Sequence, residues 1–128
     1  MYNLLTEIVA AIETIPEIKT VAIGTESGIS AKDTPAARVV TEYRELSARS
    51  KQFDQGAIQV LLLLDLKNDL PEVYRQSIEL EDKIRNAVKE IATFNRTDYD
   101  QDSVTVFKVS IMRFTFTGIR NGLTECNL

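Results

Sequence analysis

Residues 57–67, AIQVLLLLDLK, constrain the fold of this chain more than any other segment. Successive side chains of a strand point to opposite faces, and here both parities are apolar across Leu61, Leu62, Leu63 and Leu64. Such a strand is predicted to be covered on both faces, so it belongs at the centre of a sheet. The rest of the chain has to supply its neighbours and its cover.

Upstream, Leu4, Leu5, Ile8, Ala11, Ile12 and Ile15 recur at helical spacing, with Asn3 as N-cap and Pro16 as the stop. This predicts a helix over residues 3–15. KTVAIG at 19–24 reads as the first strand. Residues 25–35 form a polar loop punctuated by Gly28 and Pro35. Ala37, Val39, Thr41 and Tyr43 then alternate with Arg38, Val40, Glu42 and Arg44, the pattern of a half-buried strand. A second polar loop, SARSKQFDQG at 47–56, leads into the central strand.

Asn68, Asp69, Leu70 and Pro71 make a helix start. Val73, Ser77, Leu80, Ile84, Ala87 and Ile91 give that helix one stripe, ending near residue 93. A helix of ~22 residues would be ~33 Å long, enough to cross a sheet face. NRTDYDQD at 95–102 reads as a polar turn, and 103–117 as the longest strand. In that strand Phe107, Val109 and Ile111 share one parity, whereas Met112, Phe114 and Phe116 take the other. A β-bulge near Ile111 and Met112, or burial of both faces, accounts for the switch.

The expectation is one α+β domain over residues 1–128, in the order α-β-β-β-α-β. Its sheet is mixed, mostly antiparallel and of about four strands, with the long helix across one face. The N-terminal helix shields only part of the other face, which leaves apolar surface for a neighbouring subunit.

Composition removes several function classes. The net charge of −4, from 15 basic and 19 acidic residues, disfavours non-specific DNA or anionic-membrane binding. The 128 residues contain no histidine, which eliminates Ser-His and Cys-His pairs and almost all zinc geometries. Neither GxxxxGK[ST] nor GxGxxG occurs, so no phosphate-cradling loop is expected. Cys126 is the sole cysteine, so no internal disulfide forms. The first residues have no basic segment, and Glu7 and Glu13 interrupt the apolar run, so a signal peptide is not expected and the default address is the cytoplasm.

Three acidic groupings bear on metal chemistry. Asp98, Asp100 and Asp102 imitate the opening of a calcium loop, but Ser103 stands where glycine is needed and Val109 where the bidentate glutamate is needed. Glu79, Glu81 and Asp82, with Lys83 and Arg85 nearby, read as a solvated helix face. Asp65-Leu66-Lys67 resembles the (D/E)-x-K signature of metal-dependent nucleases, with Asp54 as the second acid and Glu42 or Glu45 assisting. The plainer reading of that triplet is a hydrophobic strand meeting water in charged residues. No enzyme activity, cofactor or metal is expected.

The stretch 56–91, GAIQVLLLLDLKNDLPEVYRQSIELEDKIRNAVKEI, resembles the tail terminator, or tail completion, proteins of long-tailed bacteriophages and related prophage neck proteins. The resemblance implies a small α+β domain with one long helix laid across a mixed sheet. It also implies a structural role in the virion or host cytoplasm: hexameric rings that cap the tail tube, stop its growth and meet the head connector. No catalytic residue is carried over. A ring repeats one contact between two unlike surfaces, and sheet edges and polar loops supply such surfaces. The residues expected to touch partners are Glu26, Ser27, Lys32 and Asp33 in the first loop, with Arg49, Lys51, Gln52, Phe53 and Asp54 in the second. The alternatives are a generic cytoplasmic protein-interaction domain and the nuclease.

Overall fold

The computed structural model describes residues 2–24, 29–46, 53–66, 70–99 and 107–119. Helix α1 spans Tyr2–Glu13 and buries Leu5, Ile8 and Ile12 at helical spacing. It closes through bonds from the Thr14 amide to the Ala11 carbonyl and from the Ile15 amide to the Ile12 carbonyl, just before Pro16. Strand β1 is Thr20–Ile23, and Gly24 then turns the chain at φ +83°, a conformation that favours glycine. A short 3₁₀ turn at Ala31–Asp33 precedes β2, Ala36–Leu46. Strand β3 is Phe53–Asp65, α2 is Leu70–Val88, β4 is Thr93–Tyr99 and β5 is Phe107–Ile119.

The five strands lie in the order β1-β2-β3-β5-β4. Strand β1 runs parallel to β2, and every other pairing is antiparallel. The α+β class, the mixed and mostly antiparallel sheet, the long helix across one face and the central place of β3 all agree with the sequence. The predicted order is present with one strand more. That strand is β4, which replaces the turn expected at 95–102. Its polar text is that of an edge strand, where Phe94 and Thr97 turn partly inward while the other side chains meet water.

Cross-strand rows show which side chains share a face. Val39, Val60, Met112 and Thr97 stand side by side in one row, and Arg38, Leu61, Ile111 and Asp98 form the next. The first row belongs to the core. Leu5, Ile8 and Ile12 of α1 and Val73, Leu80, Ile84 and Val88 of α2 pack there with Val39, Val60, Leu62, Met112 and Phe114. Both helices therefore cover the same face, α1 over β1 and β2 and α2 over β3 and β5. The expectation that α1 shields the opposite face is overturned. A 12-residue helix, about 18 Å long, fits beside α2, where both helices bury into one core.

Three further expectations change. The long helix stops at Val88, because the chain needs a tight turn, with Ile91 and Ala92 amides bonded to the Val88 carbonyl, before entering β4. Strand β5 keeps register with β3 from Phe107 to Ile119, so no bulge lies at Ile111 and Met112 between these strands. Its two parities instead serve two faces: Met112 and Phe114 are buried, while Phe107, Val109 and Ile111 are half-buried on the other side. The second polar loop is shorter than expected, since β2 continues to Leu46 and β3 begins at Phe53.

Gly56 explains how that hairpin is held. A Cβ there would lie 2.2 Å from the Tyr43 carbonyl oxygen and 3.0 Å from the Phe116 ring. The register shift between Thr41 and Tyr43 brings the β2 backbone this close, and only glycine leaves room for it. Among the described residues, no helix is long and apolar enough to cross a membrane.

Candidate functional site

The chemistry under α2 centres on Glu81. Its carboxyl is almost fully buried, and it accepts hydrogen bonds from the Ser77, Ser110 and Tyr99 hydroxyls at 2.7 Å each. Ser77 and Ser110 are themselves fully buried and lie 3.2 Å apart. The network therefore ties one turn of α2 to β5 and to the edge strand β4. Buried polar groups are tolerated when each finds a partner, and here they do.

Lys108 lies at the outer rim, its Nζ 4.3 Å from the Tyr99 ring centroid and 5.0 Å from that of Tyr74. Burial against these rings holds its ammonium below the ordinary lysine range, while the Glu81 charge acts in the opposite direction. Burial, followed by the bond to Glu81, pushes the Tyr99 phenol up to about 12. Neither serine is open to a substrate, so the arrangement fixes α2 on the sheet and leaves Tyr74, Tyr99 and Lys108 at the surface. The solvated helix face read from Glu79, Glu81 and Asp82 is corrected at Glu81. Glu79 and Asp82 fit it, being exposed and paired with Arg75 and Arg85.

Sequence reasoning missed Ser110, Tyr99 and Lys108. A signal was present in two serines, Ser77 within the apolar stripe of α2 and Ser110 between Val109 and Ile111. A hydroxyl at a buried position needs a partner, and Glu81, one helical turn after Ser77, is in reach.

The sequence-predicted partner residues fare unevenly. Glu26, Ser27, Arg49, Lys51 and Gln52 lie outside the described residues. Phe53 and Asp54 belong to β3 rather than to a loop. Lys32 is exposed. Asp33 is tied locally: its carboxylate accepts bonds from the Ser30 amide at 2.9 Å and the Ser30 hydroxyl at 3.0 Å, which hold it below its usual range. Strand β2 is not an edge, because β1 lies outside it.

The nuclease constellation does not assemble. Asp54 and Asp65 sit at opposite ends of β3, ~36 Å apart at ~3.3 Å per residue. Glu42 lies beyond the pair Thr41 and Ile58, and Glu45 pairs with Gln55, so both stand far along the sheet from Asp65. Glu42 is instead bonded to Arg113 at 2.6 Å. Asp65 lines a cleft of about 480 Å³ with Lys19, Pro35 and Glu72. Glu72 is taken by Arg75, whose guanidinium holds it below the usual carboxylate range. Lys67 lies outside the described residues, as do Asp100 and Asp102 of the calcium-like run and Cys126. Asp98 lies in β4 and pairs with Arg96 at 3.0 Å, which removes it from a calcium loop. Among the described residues, no group of three or more acids, cysteines or histidines is placed to hold a metal ion.

The second surface feature is the sheet face away from the helices. Val40, Leu61, Leu63, Phe107, Val109 and Ile111 stand there half-buried on β2, β3 and β5. Arg38 shares this face and is pinned, its Nη1 donating to the Ala37 carbonyl at 2.8 Å and to Thr20. Comparison with models of known protein families finds none that matches the chain. Comparison with curated proteins finds no matching relative.

Proposed function

We propose that this chain is a structural assembly subunit of a phage or prophage tail. In this reading copies of the chain close into a hexameric ring that caps the tail tube and meets the head connector. The observation that carries it is the apolar sheet face opposite the helices. Leu61, Leu63, Val109 and Ile111 form a continuous patch there, and neither α1 nor α2 lies over it. Contiguous apolar patches rimmed by polar residues mark surfaces that another protein covers, and each Å² so covered contributes ~25 cal/mol. The likeness of residues 56–91 to tail terminator proteins supplies the kind of assembly.

The test is the oligomeric state of the purified protein and of Leu61→Lys. The wild type is expected to associate with cyclic symmetry. The variant is expected to keep its secondary structure and lose assembly on its partner surface. A wild type that remains a monomer at high concentration overturns the reading.

A further inference from the structure

We draw no further inference here: the strongest candidate, the exposed apolar ridge of Leu70, Tyr74 and Ile78 on α2, carries none because nothing in the structure shows what covers it.

Discussion

Replacing Glu81 by alanine tests whether the acidic run on α2 is a solvated face or, at this one position, a buried anchor. The structure sets the magnitude. Removing the carboxyl takes the acceptor from the Ser77, Ser110 and Tyr99 hydroxyls. The two serines, 3.2 Å apart, can still bond to each other, which strands a single buried hydroxyl hydrogen. That costs ~1–3 kcal/mol, and the lost packing of the side-chain stem adds ~1 kcal/mol. Tyr99, 43% exposed, turns its hydroxyl to water at little cost, and relief of the buried carboxyl offsets part of the loss. The expected net destabilisation is ~2–3 kcal/mol. Glu79→Ala, which breaks an exposed pair with Arg75, should stay within ~0.5 kcal/mol. Urea unfolding at constant slope measures both, and the Ser110→Ala and Glu81→Ala double mutant should cost less than the sum of the singles. Equal losses for Glu79→Ala and Glu81→Ala would refute the buried network.

Ile84→Ala removes a fully buried side chain between α2 and the sheet and should cost ~2–5 kcal/mol in the same assay. Gly56→Val places a Cβ 2.2 Å from the Tyr43 carbonyl and should cost ~1–3 kcal/mol or more, since backbone rather than a flexible side chain has to move. Tyr99 should give a component near 12 in an absorbance titration, which Tyr99→Phe abolishes. Its folded pKa is raised above the unfolded ~10, so its contribution to stability is full below pH ~10 and is lost as pH rises toward 12.

The central strand and the long helix were legible because each carries a pattern that one structure satisfies. Leu61 to Leu64 demand a sheet centre, and Val73, Leu80 and Ile84 demand a helix laid on it. Strand β4 was not legible: Asn95, Arg96 and Asp98 are turn residues by composition, and only pairing with β5 makes them an edge. The placement of α1 is not legible, because a doubly apolar strand implies cover on both sides. Its second face, Leu61 and Leu63, is only half-buried and lies opposite both helices. Glu81 is not legible from its charged neighbours alone, because the Ser77 and Ser110 hydroxyls that bury it are set by the packing of α2 on β5. Phe53 and Asp54 read as loop residues by polarity, whereas the hairpin register, Leu46 with Asp54, is set by pairing.

The most direct test of the central claim is the molar mass of the intact protein by light scattering over a range of concentrations. Assembly as a hexameric ring predicts a species of six times the 14.4 kDa chain mass that grows with concentration. A mass that stays at 14.4 kDa at the highest concentration reached, with no contact in crystals above the ~800 Å² typical of lattice packing, would contradict it.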